Sequence, residues 1–242
     1  MQDCNPVNTP SGREESVSGE LVKDKVPFRA AVGSLLYLST ATRPDISFAV
    51  GKVARVMENP TRDEWNRVVR IFKYLKKTSH LAITYGAEED LKVYSDADYA
   101  GCSKSRRSTS GIIATFNGGA ISWKSKSQRV IALSTTEAEI MAASEAAKEL
   151  IWLNGIIKEV LRIDRVPTLF IDNASAVKLA KNPEFHSRTK HIHIRFLFVR
   201  EKFIENALCV EHIEGKNQPA DICTKSLDMN RFEMLRLKLG LQ

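Results

Sequence analysis

Lys92-Val93-Tyr94-Ser95-Asp96-Ala97-Asp98-Tyr99-Ala100-Gly101, KVYSDADYAG, carries alternating residues into two carboxylates. The alternation predicts a strand, because successive side chains leave a sheet on opposite faces. An Asp at a strand end has an ordinary explanation, since its side chain bonds nearby backbone in a turn. The alternative is that other elements bring further carboxylates to the same point, which is how proteins hold divalent cations. The choice depends on what the rest of the chain places there.

Downstream, TSGIIATFNG (109–118) ends in Asn117-Gly118, a hairpin-turn signature, and AISWKSKS (120–127) follows. Three such strands in succession predict an antiparallel meander. A long helical pattern then runs from Ser134 to about Leu161, followed by a short strand TLFID (168–172) and a helix through ASAVKLAKN (174–182). Helical periodicity returns after Pro183 through TKHIHIRFLFVREKFIE (189–205), and a strand ALCVEHI (207–213) leads to a short helix near Pro219. Strands alternating with helices predict an α/β (α+β) fold with one mixed sheet flanked by helices.

Upstream, residues 28–86 read as a small helical subdomain: RAAVGSLLYLS (29–39), DISFAVGKVARVM (45–57) and EWNRVVRIFKYLKK (64–77). In the last of these, Trp65, Val68, Val69, Phe72 and Leu75 form the apolar stripe. Residues 1–27, with Pro6, Pro10, Gly12, Gly19 and Pro27, have the composition of an extended lead-in. RFEMLRLKLGL (231–241) reads as a short amphipathic helix.

The chain has 242 residues, 43% of them hydrophobic, enough to bury a substantial core. Thirty-six Lys and Arg against 29 Asp and Glu give a formal charge of +7 and a pI near 9.2, a balance that favours a polyanionic partner. Cys4, Cys102, Cys209 and Cys223 are widely spaced and suggest neither a zinc site nor a disulfide framework. The N-terminus lacks a basic segment followed by an apolar run, and no apolar stretch is long enough to span a bilayer. A soluble intracellular protein without a membrane partner is expected, cytoplasmic, with virus-like particles or the nucleus as alternatives.

Three further acids stand at element ends. Glu137 opens the long helix in LSTTEAEI, where Ser134-Thr135-Thr136-Glu137 also matches a capping box. Asp172 closes TLFID just before a helix, and Asp221 follows Pro219 in NQPADICTK; first-turn acids of this kind are common without any function. Four carboxylates held close would repel strongly unless cations neutralised them, and two Mg²⁺ ions in such a cluster suit phosphodiester hydrolysis.

The stretches YSDADYAG, RRSTSG, ISWKSKSQ, ALSTTEAE, IDNASAVKLAKNPEFHSRTKHI and QPADICTK, in this order, resemble the ribonuclease H domain of the Pol polyprotein of copia-type LTR retrotransposons. DCNPVNTP, VGSLLYLSTATRPDISFAV and RIFKYLKKT resemble the thumb and connecting segments that follow a reverse transcriptase's catalytic core. No Tyr-x-Asp-Asp signature occurs, so no DNA synthesis is expected of this chain; the polymerase core belongs to the parent polyprotein. The resemblance implies an RNase H-like five-stranded mixed sheet over residues 91–229, preceded by the connection-like segment 28–86 and followed by a helical tail, 230–242.

It further implies a metal site of Asp96, Glu137, Asp172 and Asp221, with Asp98 as a neighbour. The cofactor would be Mg²⁺, two ions, with Mn²⁺ as an alternative. The activity would be hydrolysis of the RNA strand of an RNA–DNA hybrid, with the substrate 2′-hydroxyl telling RNA from DNA. Ser95, Ser134 and Asn173 flank the acids, with helix capping as their ordinary role. His212, nine positions before Asp221, is the candidate accessory residue for proton transfer or product release.

The sequence departs from the family at CSKSRR (102–107), where relatives often carry acids, which makes that loop with Arg106 and Arg107 more basic. His193 stands where relatives commonly show an acid; it and His191 read as surface residues. Lys124, Lys126 and Arg129, beside Trp123, form a candidate groove for the DNA strand, against the alternative of lysines protecting an exposed strand end. Two readings remain: a metal-dependent ribonuclease H, favoured by the complete acid quartet, and a non-catalytic nucleic-acid-binding or assembly remnant, favoured by the missing polymerase core.

Overall fold

A computed structural model describes residues 4–12, 19–22, 25–181 and 190–242. Part of the expected lead-in and the start of the helical pattern after Pro183 lie outside the described residues, as do the side chains of His191 and His193. Helices α1 (Phe28–Ala41), α2 (Ser47–Ala54) and α3 (Arg62–Lys77) come first. Strands β1 (Lys92–Asp98), β2 (Thr109–Phe116) and β3 (Gly119–Ser127) then lead into α4 (Thr135–Leu161). Next come β4 (Thr168–Ile171), α5 (Ala174–Lys181), α6 (Lys190–Ile204), β5 (Cys209–His212), a 3₁₀ turn Pro219–Cys223 and α7 (Met229–Lys238).

The strands form one mixed sheet in the order β3-β2-β1-β4-β5. β1, β2 and β3 are the expected antiparallel meander, turned at Asn117 and Gly118, both with positive φ. β4 joins β1 in parallel through the long crossover α4, and β5 joins β4 in parallel through α5 and α6. This is the ribonuclease H-like architecture that the sequence implied.

Strand alternation sends apolar side chains to both faces, so helices must cover both. On one face Val93, Ile112, Leu169, Ile171 and Val210 pack against α4, α5 and α6. On the other, Ile113 and Ala120 share a core with Val32 and Leu35 of α1, Val50 and Val53 of α2, and Ile71 of α3. Ile222, Phe232 and Leu239 belong to the same core. The segments 28–86 and 230–242 are therefore the second helical layer of this sheet rather than bodies with cores of their own. Ile83 bridges Leu241 to tie the two segments together.

α3 starts with a capping box in which Thr61 Oγ1 accepts from the Glu64 amide while Glu64 Oε2 accepts from the Thr61 amide at 2.7 Å. Its buried side chains are Glu64, Val68, Ile71 and Tyr74, whereas Trp65, Val69, Phe72 and Leu75 of the expected stripe are only partly covered. The helix is turned because it is covered on two sides. Tyr74 reaches inward to the carboxylate of Asp45, which Arg43 holds with two bonds of 2.8 and 2.9 Å. The lead-in lies along another side, where Arg70 donates to Thr9 Oγ1 and Lys76 to the Cys4 carbonyl. No helix among the described residues is long and apolar enough to cross a membrane.

Candidate metal centre

β1 places Asp96 at the middle of the sheet, 2% exposed. The parallel register pairs Ser95 with Ile171, so the next residues, Asp96 within β1 and Asp172 just past the end of β4, stand side by side. Asp221 arrives from the opposite layer, on the 3₁₀ turn that Pro219 opens. That turn can lie against β2 only because Gly111, the partner of Asp96 across the ladder, has no side chain. A Cβ there would stand 2.6 Å from Thr224 Cγ2 and 2.7 Å from the Ala220 carbonyl. Gln218 Nε2 also donates to the Ser95 carbonyl at 2.9 Å, fastening the turn to β1. As a result Asp96, Asp172 and Asp221 each bring a carboxylate oxygen within 4.8 Å of the others.

Glu137 does not join them. It sits at the third position of α4, where its amide donates to Ser134 Oγ at 3.1 Å and its carboxylate accepts from the Leu133 amide at 2.7 Å. The capping interpretation of Ser134-Thr135-Thr136-Glu137 is therefore the one realised, and the assignment of Glu137 to the cluster is corrected. The acid that α4 sends to the site is Glu139. Two residues further on, about 200° around the helix, it turns from the solvent side to the sheet.

Glu139 is 6% exposed, and its Oε1 accepts from the Ala97 amide at 3.2 Å. Its Oε2 is buried with no hydrogen-bond partner. Burial, with the charges of Asp96 and Asp172 added, pushes its carboxyl up to about 9. Burial and the Asp96 charge likewise push Asp221 up to about 7 and raise Asp172 above the usual carboxylate range. Three acids raised by burial and by the charges around them, gathered with Asp96 and with a buried oxygen left unsatisfied, are a donor set that suits a hard divalent cation; the residues fit Mg²⁺ or Mn²⁺.

Lys225 and Arg231, neither singled out by the sequence, also reach the cluster. Lys225 Nζ lies 2.8 Å from Asp221 Oδ1 and 3.6 Å from Asp96 Oδ2. Arg231 pairs with Asp221 Oδ2, and Thr224 Oγ1 donates to Asp96 Oδ2. Of the flanking residues, Asn173 caps α5 through its Oδ1, which accepts from the Ala176 amide at 3.0 Å. Asp98 lies further along β1 against Gly101, beside the cluster rather than in it.

His212 is exposed at the end of β5, where its Nε2 donates to the Asp172 carbonyl at 3.1 Å. It therefore stands at the rim of the acid cluster, despite lying in a strand. Arg106 and Arg107 are exposed in the loop that leaves β1 at the same end of the sheet, with the Arg106 amide donating to the Cys102 carbonyl at 2.8 Å.

Lys124, Lys126 and Arg129 line a groove between β3 and α4 together with Arg195 and Glu145, over a floor of Ile112 and Met141. Trp123 is not part of it. Strand alternation turns its indole to the other face, where Nε1 donates to the Ser39 carbonyl at 2.6 Å. Among the described residues the groove is thus a basic channel without an aromatic wall.

No protein-family model matches the chain. It is 40% identical over 251 residues to the retrovirus-related Pol polyprotein from transposon TNT 1-94 of Nicotiana tabacum, an alignment covering all of this chain and 19% of that protein. The corresponding Pol polyprotein from transposon RE2 of Arabidopsis thaliana is 36% identical over 247 residues, again across the whole chain and 17% of the relative. The chain thus spans less than a fifth of the length of these curated relatives. Among solved structures, LC11-RNase H1 in complex with RNA/DNA hybrid superposes on 56% of this chain and 94% of its own, with 14% identity and a TM-score of 0.43.

Proposed function

We propose that this chain, which aligns along its whole length with part of the Pol polyproteins of copia-type retrotransposons and has a ribonuclease H-like sheet, hydrolyses the RNA strand of RNA–DNA hybrids with the help of divalent cations. The observation that carries the proposal is the convergence of Asp96, Asp172 and Asp221, with the unsatisfied oxygen of Glu139 beside them. Asp96, shared by its central position, would hold metal together with Asp172 and Glu139 on one side and Asp221 on the other. Bound there, Mg²⁺ supplies an activated water and charge stabilisation at the departing 3′-oxygen.

The chain's own groups do the rest. The Ala97 amide fixes the orientation of Glu139. Thr224 orients Asp96, and the 3₁₀ turn seated on Gly111 holds Asp221 in place. His212, anchored on the Asp172 carbonyl at the open side, is placed to take or return a proton as product leaves. Its exposure gives it the access to solvent that such a role needs.

Lys124, Lys126 and Arg129 would hold the phosphates of the DNA strand, with Arg106 and Arg107 meeting the hybrid at the carboxylate end of the sheet. Their Coulombic contribution is sequence-independent and depends on salt. Replacing Lys124, Lys126 and Arg129 together with Ala is expected to weaken hybrid binding and lower the slope of log affinity against log salt by about 2 to 3. Unchanged affinity and slope in a filter-binding titration would remove the groove from the interface.

The enzymatic proposal is tested with a labelled RNA strand in a hybrid. Cleavage in Mg²⁺ that disappears on chelation and in Asp96→Asn, with duplex RNA left intact, is the expected result. Tight hybrid binding with no cleavage in Mg²⁺ or Mn²⁺ would overturn it and leave a binding module. The polymerase core of the parent polyprotein is the proposed partner that delivers the hybrid.

A further inference from the structure

Both oxygens of Asp221 already face a cationic side chain. Arg231 Nη2 takes its Oδ2 while also donating to the Gly215 carbonyl at 2.8 Å, and the Lys225 ammonium sits 2.8 Å from its Oδ1. The same ammonium lies 3.6 Å from Asp96 Oδ2. A positive charge therefore already stands between the two carboxylates that would have to share an ion. The two basic residues differ in how they are held. Arg231 is fixed at both ends of its contact, by Asp221 and by a backbone carbonyl. The Lys225 ammonium rests on the two carboxylates themselves, and its backbone amide donates to the Asp221 carbonyl at 3.2 Å. Its side chain is 37% exposed and has a way out to solvent.

We propose that Lys225 is a built-in competitor cation that withholds Asp221 from the metal centre until a divalent ion displaces its ammonium group. The position shared by Asp96 and Asp221 then fills after, and more weakly than, the one served by Asp96, Asp172 and Glu139. The lysine keeps the metal-free cluster from repelling itself apart, and its departure completes the site. This inference rests on the metal-dependent nuclease proposal above. It adds an order of filling that the carboxylates alone do not impose.

Calorimetric titration of the full chain with Mn²⁺ tests it, comparing wild type with K225Q and K225R. A strong and a weak binding event are expected in wild type. K225Q is expected to tighten the weak event by on the order of tenfold or more, since a unit charge within a few ångströms is removed. K225R, which keeps the charge, is expected to leave the event weak.

A weak event unchanged or weakened further in K225Q would overturn the inference, while hybrid cleavage by wild type would still uphold the nuclease proposal. Absence of Mn²⁺ binding in all three proteins, together with absence of cleavage, would instead remove both. A second measurement needs no variant: amine acetylation of Lys225 in wild type, followed by mass spectrometry, is expected to rise when Mg²⁺ frees the ammonium. A lysine equally reactive with and without Mg²⁺ would also overturn the inference.

Discussion

Glu139→Gln abolishes hybrid cleavage, whereas Glu137→Gln leaves it within a few-fold of wild type; this is the expected outcome of the geometry at the start of α4. In Glu139→Gln the side-chain carbonyl would still accept the Ala97 amide bond, so the helix keeps its seat while the anionic oxygen is lost. Several kcal/mol of transition-state charge stabilisation depend on such a ligand, which corresponds to a rate loss of roughly 10³-fold or more. Glu137 lies on the other side of the helix, and its carboxylate is engaged by the Leu133 amide. Its substitution costs only part of a cap, about 0.5–2 kcal/mol of stability. Single-turnover cleavage rates with thermal melts of both variants separate the two effects. Loss of cleavage in Glu137→Gln with retention in Glu139→Gln would reverse the assignment.

The second large effect is on stability against pH. In the metal-free protein Glu139 is raised to about 9 and Asp221 to about 7, and Asp172 is raised as well. Each binds its proton more tightly folded than unfolded. Their contribution to stability is therefore complete below the unfolded carboxylate range and is lost as pH climbs through the folded values. Lys225 is also raised: burial lowers it, but Asp96 and Asp221 outweigh that effect, so it stays charged across this window.

Between pH 6 and pH 9 the metal-free protein is expected to lose several kcal/mol, at about 1.4 kcal/mol per pH unit for each proton released, with Tm falling by about 2–4 °C for each kcal/mol. Saturating Mg²⁺ flattens the profile, because the cation replaces the protons, and its binding releases protons to the buffer. Differential scanning fluorimetry with and without Mg²⁺ checks this. A metal-free Tm that rises over the same interval would contradict the electrostatics of the cluster.

The alternation in KVYSDAD, the Asn117-Gly118 turn and the long periodic segment after Ser134 determined the order of elements, because each signal is local: side-chain period, turn chemistry and capping. Asp96, Asp172 and Asp221 were also legible, Asp96 within the strand that the alternation marks, Asp172 just past the end of a strand and Asp221 in the turn that Pro219 opens. The choice between Glu137 and Glu139 was legible in principle. Ser134 commits Glu137 to the cap, while Glu139 is an acid in a stripe continued by Ala142, Ala143, Ala146 and Leu150, all buried.

What local signals could not supply came from contacts far apart in the chain. The helices of residues 28–77 became the second layer of the sheet because Ile113 and its neighbours on that face needed covering. Trp123 left the basic groove because its strand position faces Ser39, 84 residues away. Lys225 and Arg231 entered the metal centre because Gly111 lets the 3₁₀ turn close over β2. The sequence by itself thus determined which elements form and that Asp96, Asp172 and Asp221 are carried by them. Only the tertiary structure decided which charges meet, because electrostatic proximity depends on packing distance, and packing joins residues that no local period relates.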